Sequence, residues 1–288
     1  MTSTRNCATS SVRVYLDYDQ ESIPPHPGPN WTRFVCISDT HSRVFSIPAG
    51  DVLLHAGDLS SWGHPHQLHT TLLWLKSQKH PTKMFLSTGF DLKRLPLMLT
   101  LAPRIIAGNH DVNALFKLRK NQHGDTTLEK EEIEQLREIR TIMKSDALRE
   151  ADIYYLEHEP FAFVTPAGRT WKAYGSPAAR KYARGAFQYS SSDEASAIYQ
   201  KIPTDTEILL THTPPYMTLD RTRREKNAGC RQLAERLATL ETCRLHVFGH
   251  IHEAHGADII TEGGVERVAV NAAVAHLGSQ AVLVDLRN

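Results

Sequence analysis

The chain has little that would assign it to a membrane, a nucleic acid or an oxidising compartment. Only four cysteines occur in 288 residues, and no two form a C-x-x-C pair. Cys36 sits inside an apolar run and reads as a small buried hydrophobe. A disulfide framework is therefore not expected, and a reducing compartment is. No stretch is long and uncharged enough to span a bilayer. The most apolar candidate, Leu92 to Ile106, is interrupted by Lys93, Arg94, Pro96, Pro103 and Arg104. The opening MTSTRNCATSSVRV lacks the apolar core of a secretory signal, so the expected location is cytoplasmic. Charge of one sign is also missing. The 33 Lys and Arg against 32 Asp and Glu leave a formal +1, with no case for nucleic acid or a membrane surface as partner. Repeats and low-complexity tracts are absent. An apolar content of 41% with 23% charge is that of an ordinary globular protein. The length suits one large α/β domain or two modest ones. Nothing in the sequence fixes an oligomeric state.

Alternating and apolar runs predict strands at 12–19, 33–38, 51–57, 104–108, 153–159, 161–166, 170–176, 207–211, 245–249, 265–273 and 281–286. The 161–166 and 170–176 runs read as a hairpin turning at Pro166-Ala167-Gly168. Helical spacing covers 65–79, 113–150, 193–202 and 227–240. Residues 1–11 are polar and expected to be disordered, and 22–30 is a Pro/Gly loop. Residues 1–30 thus read as a polar N-terminal segment with one strand, and 31–288 as a single domain. Strands alternating with helices predict a layered α/β fold, and the hairpin makes its sheets mixed.

Short polar clusters follow the apolar strand runs. They are Asp39 and His41 in CISDTHSR, Asp58 in LLHAGDLS, Asn109-His110-Asp111 in RIIAGNHD, His212 in ILLTHTPP, and His250 and His252 in VFGHIHEAHG. Ligand sites in open α/β sheets lie beyond the carboxyl ends of strands, which is where each cluster falls. Imidazole, carboxylate and amide oxygens together suit borderline divalent ions such as Mn, Fe or Zn. Two such ions roughly 3.5–4 Å apart clamp the attacking and leaving oxygens of a phosphoryl displacement. On extended backbone, residues two apart point the same way. Asp39 with His41, and His250 with His252, are thus expected to face one metal centre from each strand end.

With SDTH, GD, GNHD, TH and GHIH in this order, the chain resembles the calcineurin-like metallophosphoesterase superfamily over about residues 33–275. The runs LLTHTPPYMTLD and LHVFGHIHEAHG resemble the metallophosphoesterase-domain branch related to class III cyclic-nucleotide phosphodiesterases. The resemblance implies a four-layer α/β/β/α sandwich with mixed sheets. It implies one metal held by Asp39, His41, Asp58 and His252, and a second held by Asp58, Asn109, His212 and His250, with Asp58 as the bridge. His110 would be the catalytic general acid or electrostatic stabiliser, and a hydroxide between the metals the nucleophile. The implied activity is hydrolysis of small or cyclic-nucleotide phosphodiesters. A phosphomonoesterase or protein phosphatase, or a non-catalytic metal-binding scaffold, remains an alternative.

Bland roles compete for the other residues. Asp111 reads as a cap of the following helix, and His55, His64, His66, His69 and His246 as structural or surface residues. The resemblance does not require His255. Arg43 is a phosphate contact or a surface residue, and Asn271 a candidate to support the ligands from behind. The interval between Asp58 and Asn109 is longer than the resemblance implies. Its 83–103 piece, KMFLSTGFDLKRLPLMLTLAP, is an atypical insertion: either a surface excursion covering the site or an intron translated in frame.

Overall fold

The computed structural model describes residues 6–61, 65–86, 141–181, 187–262, 265–276 and 278–288. Two sheets face each other. The first takes β1 (Asn6–Ala8), β2 (Val12–Tyr15), β3 (Trp31–Ile37), β4 (Val52–His55), β5 (Thr82–Phe85), β6 (Ile153–Tyr155) and the C-terminal β15 (Val282–Arg287), in the order β1-β2-β15-β3-β4-β5-β6. The second takes β7 (Glu159–Val164), β8 (Thr170–Ser176), β11 (Ile208–Thr211), β12 (Leu245–Phe248), β13 (Gly256–Glu262) and β14 (Val265–Asn271), in the order β13-β14-β12-β11-β8-β7. A small parallel pair, β9 (Ala179–Arg180) and β10 (Gln188–Tyr189), stands apart.

Both faces of the central strands are buried, so they read as continuous apolar runs. Successive side chains alternate between two cores. Phe34 and Cys36 of β3 point between the sheets, with Trp171, Leu210 and Val247 among their companions. Val35 and Ile37 point outward to Leu68, Leu72 and Leu75 of α1 (Pro65–Ser77). On the far side, Tyr174 and Leu209 pack under α3 (Ser192–Tyr199) and α4 (Arg231–Leu237), through Tyr199, Leu233 and Leu237. A single-turn helix, α2 (Asp146–Arg149), precedes β6. These four layers, α/β/β/α with mixed sheets, are the architecture that the resemblance implied. Ser191 caps α3 by accepting the Glu194 N–H at 3.1 Å, which sets the helix start at the predicted place.

Several boundaries differ from expectation. Asn6–Ala8 is strand rather than disorder, and its polar neighbours are used: Leu16 N–H donates to Asn6 Oδ1 at 3.0 Å, and the Thr9 and Ser11 hydroxyls both reach Glu266 of the other sheet. The 153–159 run is two strands in different sheets. It breaks at His158, whose φ of 54° is left-handed, and the chain crosses there from β6 to β7. The helix expected over 227–240 forms only over Arg231–Leu237, because Gly229 and Cys230 donate their N–H groups to Asp220 and Pro214 instead. Lys83–Phe85, counted in the expected insertion, lie in β5 between β4 and β6; residues 87–103, with the predicted strand 104–108, lie outside the described residues. Most of the predicted 113–150 helix does too, and residues 141–143 are helical.

Two buried contacts brace the sandwich. Arg33 of β3 makes a two-pronged ion pair with its register partner Asp285 of β15, at 2.7 and 2.8 Å, and donates onward to Pro24 O and Pro25 O, which fastens the Pro/Gly loop. Trp171 of β8 is fully buried between the sheets, edge-on to Phe34 at 5.6 Å, and its Nε1–H donates to Thr32 Oγ1 at 3.1 Å. Removing that ring leaves a cavity and takes one of two hydrogen bonds from the Thr32 hydroxyl, which still donates to Asn288 Oδ1 at 2.6 Å. Trp171→Ala is expected to cost about 3–5 kcal/mol of unfolding free energy in denaturant titration; a loss below ~1 kcal/mol would show that the sheets do not depend on this contact.

Candidate metal centre

The carboxyl ends of four parallel strands, β3 and β4 in one sheet and β11 and β12 in the other, meet at one edge of the sandwich. Asp39 and His41 follow β3, Asp58 follows β4, His212 follows β11, and His250 and His252 follow β12. Within the first sheet the two loops run side by side: the N–H groups of Asp39, His41 and Ser42 donate to Gly57 O, Asp58 O and Leu59 O at 2.9, 3.0 and 2.8 Å. Across the sheets, the His250 N–H donates to the Asp39 carboxylate (3.0 Å to Oδ2), and a nitrogen of the His212 ring, Nδ1, lies 3.0 Å from Ala56 O.

The side chains converge. Ligand atoms of Asp39, His41, Asp58 and His252 all lie within 4.8 Å of one another. His252 Nε2 is 3.1 Å from Asp39 Oδ1 and 3.4 Å from His41 Nε2. His41 Nε2 is 4.0 Å, and His212 Nε2 3.6 Å, from Asp58 Oδ2. The His212 and His250 rings meet edge-on at 5.0 Å. Asp58 therefore stands between one group made with His41 and His252 and another made with His212 and His250.

Asp39 and His41 face one cluster as expected, but not as neighbours on extended backbone, and His250 and His252 do not face the same way. Asp39, His41 and His250 have φ of 54°, 48° and 68°, and Asp58 has 53°. All four are left-handed, a conformation costly for L-residues and concentrated at functional sites. The alternation of a strand is lost there: the His250 ring turns to His212, and the His252 ring turns to His41 at 5.2 Å.

Does this donor set fit divalent metal? A carbonyl only accepts, so His212 Nδ1 carries the proton that bonds Ala56 O, and Nε2 keeps its lone pair. That lone pair is fully buried, lacks a hydrogen-bond partner among the described residues and faces a carboxylate oxygen. His41 Nδ1 likewise lies 3.3 Å from a carbonyl, Ser60 O, while its Nε2 lies 3.4 Å from His252 Nε2. Lone pairs aimed at carboxylates call for a cation, and the residues fit one. Burial alone would raise the Asp39 carboxyl, but the His252 hydrogen bond and the His212, His252 and His41 imidazoles outweigh it and hold it well below the usual carboxylate range. Burial, with His212 beside it, lowers His250 to about 4 and keeps it neutral as a ligand must be. Burial also opposes charge on His252, yet its hydrogen bond to Asp39 prevails and its pKa is raised.

Of the predicted site residues, six are brought together here; Asn109 and His110, with Asp111, lie outside the described residues. Asn271 takes the supporting role considered for it. Its Nδ2 donates to Ile251 O at 2.9 Å, between the two ligand histidines, and to Leu219 O at 3.0 Å. Arg43 is committed to backbone, donating to Val274 O and Thr40 O, rather than turned to a substrate. His55 and His246 are structural: both are buried, bonded to Thr40 Oγ1 and Thr211 Oγ1 at 2.9 and 2.8 Å. His66 and His69 are exposed. Two neighbours escaped the sequence reading. His276 stands edge-on to His252 at 5.9 Å, and its place five residues after Asn271 was the only signal. Gly249 is the other. A Cβ there would lie 2.0 Å from Asp39 Oδ2 and 2.3 Å from Ser38 Oγ, so only glycine lets β12 approach the carboxylate.

Gly249→Ala is thus expected to displace Asp39 and lower bound metal, read by elemental analysis, while far-ultraviolet circular dichroism stays that of the parent; full metal content would refute the close approach. The raised His252 pKa gives a second expectation. Below that pKa an incoming ion must displace a proton, so affinity falls as pH falls, by up to about tenfold per unit. Calorimetric Mn²⁺ titrations from mildly alkaline to mildly acidic pH, in buffers of different ionisation enthalpy, should report proton release; pH-independent affinity would contradict it.

A model of the calcineurin-like phosphoesterase domain matches residues 32–254. The human metallophosphoesterase domain-containing protein 1 is 29% identical over 266 residues, which cover 90% of this chain and 70% of that protein. A protein of Emericella nidulans named "Probable rhamnogalacturonate lyase C" is 34% identical over 232 residues, 80% of this chain but 18% of that protein's length. Among solved structures, a dimetal phosphatase from Danio rerio aligns over 88% of this chain and 91% of its own, at 12% identity and a TM-score of 0.38, a likeness too slight to argue from. The domain match spans far more than half of the chain and takes in all six clustered ligand residues: the chain belongs to the calcineurin-like phosphoesterase family and is a metal-dependent phosphoesterase.

Proposed function

We propose that this phosphoesterase binds two divalent ions and hydrolyses small soluble phosphodiesters, cyclic nucleotides among them. The observation that carries the reading is the placement of Asp58 between two imidazole groups, His41 with His252 and His212 with His250. Ions bound there would supply Lewis acidity to the phosphoryl oxygens and lower the pKa of water. The chain's own part is positioning. His41 and His212 hold their Nε2 atoms inward because their Nδ1 atoms are tied to backbone carbonyls. Asp39, fixed by the His250 N–H and kept ionised, sets the negative charge of the site. His41, His250 and His252 are only partly buried, so the site opens to solvent on one side, where a small ester can enter. His110 as general acid belongs to the same proposal, as does Asn109 as a ligand, both on the strength of the GNHD motif. A cytoplasmic location fits the four cysteines, all free. Among the described residues no helix is long and apolar enough to cross a membrane.

The test is hydrolysis of bis-p-nitrophenyl phosphate beside p-nitrophenyl phosphate, with and without Mn²⁺, for the parent and Asp58→Ala. Metal-dependent activity that favours the diester and drops by at least about a thousandfold in the variant is the expected result. Preference for the monoester would assign a phosphomonoesterase, and a folded, metal-loaded parent inert on both would leave a metal-binding scaffold.

A further inference from the structure

β11 ends at Thr211, and beyond His212 the chain makes a long loop whose outer part is a hairpin. Pro215 and Cys230 meet in a parallel bridge at the base of this loop, and Arg221 pairs antiparallel with Asn227 near its tip. The tip is closed by Thr222 N–H to Lys226 O at 2.9 Å and Glu225 N–H to Thr222 O at 2.8 Å, with Glu225 at a φ of 58°. The buried Asp220 carboxylate gathers the Met217 and Gly229 N–H groups at 3.1 and 2.9 Å, which holds the two arms together.

The hairpin is bolted to the metal centre at two points. Leu219 O accepts from Asn271, which also grips the loop between His250 and His252. The Arg223 N–H donates to Glu253, the residue after His252. A solvated loop carrying charge for solubility needs no such mounting.

Its sequence, DRTRREKNAGCR, carries five cations against two carboxylates in a chain whose net charge is only +1. The carboxylate of Asp220 is spent on backbone, Glu225 pairs with Arg221 at 2.6 Å, and Arg231 lies over the Tyr216 ring at 4.0 Å. Arg223, Arg224 and Lys226 remain, exposed within four residues and without a side-chain hydrogen bond or close ion pair among the described residues; the Glu253 carboxylate offsets part of the Arg223 charge, which leaves a net excess of cations. Held together on a fixed mount, they repel one another, and an anion relieves that. A guanidinium matches phosphate with two parallel hydrogen bonds and an ammonium adds a point charge.

We infer that this hairpin binds a second phosphate on the substrate, so that the preferred substrate is a small soluble phosphodiester carrying another phosphate group beside the scissile one. The inference rests on the phosphoesterase reading of the metal centre and names the substrate class that the centre takes.

A matched pair of substrates tests it: the p-nitrophenyl ester of thymidine 5′-phosphate with and without a 3′-phosphate, given to the full-length, Mn²⁺-loaded protein. The ratio of their kcat/KM values is read, so that any general loss of activity cancels. The parent should favour the phosphorylated ester roughly ten- to a hundredfold. In Arg223→Ala/Arg224→Ala/Lys226→Ala the ratio should fall to about one, and in the parent it should shrink with added salt. Equal hydrolysis of both by the parent overturns the inference and leaves the phosphoesterase reading intact. Calorimetry with thymidine 3′,5′-bisphosphate and thymidine 5′-phosphate decides the inference even if neither ester is cleaved: tighter binding of the bisphosphate, lost in the triple variant, supports it, and equal affinities overturn it.

Discussion

The carboxylate of Asp39 is the joint on which the metal edge depends. It belongs to the first sheet, yet its partners come from the second: the His250 N–H, the His252 ring and, in contact, the bare Cα of Gly249. The group is wholly buried and charged, and burying a charge is tolerated only where it is paired and hydrogen-bonded. The reciprocal tie, His212 to Ala56 O, runs the other way between the sheets. The two ties fix the spacing of ligands far apart in sequence: Ala56 and His212 are 156 residues apart, and Asp39 and His252 are 213.

The backbone at this edge shows what that spacing costs. Left-handed conformations at Asp39, His41, Ser42, Asp58 and His250 each cost of order 1–3 kcal/mol. They persist because the flanking strands are buried on both faces and leave the chain no other exit. The apolar sandwich thus holds a polar site in a conformation the site residues would not choose alone, with the outer helices closing both faces of the sandwich.

Much of this was legible in sequence because the signals are local. Apolar runs bury both faces of parallel strands, and ligand-type residues directly after them mark the strand ends, so Asp39, Asp58, His212 and His250 could be placed before any contact was known. The Pro166-Ala167-Gly168 turn is local too. What was not legible depends on distant partners. β5 reads as the start of an insertion because its worth as a strand comes only from β4 and β6 on either side. β1 reads as disorder because its polar neighbours find Glu266 some 255 residues on. β13 escaped notice because it alternates weakly and gains its order from β14. The same holds for the ring directions of His250 and His252, which follow from left-handed backbone that no period-two argument contains. Only the returning arm of the hairpin after His212 overlapped the helical pattern of 227–240, whose first turn is spent on Asp220 and Pro214.

Because half of the ligand set rides on each sheet, the metal centre measures how the sheets lie against each other. A slide of one sheet across the other by less than an ångström would leave the apolar core packed, since side chains there touch over broad surfaces, but it would open or close the gap between Asp58 and His212, now 3.6 Å. Ions held by Asp39, His41 and Asp58 on one side and His212, His250 and His252 on the other would latch the two sheets together, and a substitution that shifts the layers would be felt in ion affinity.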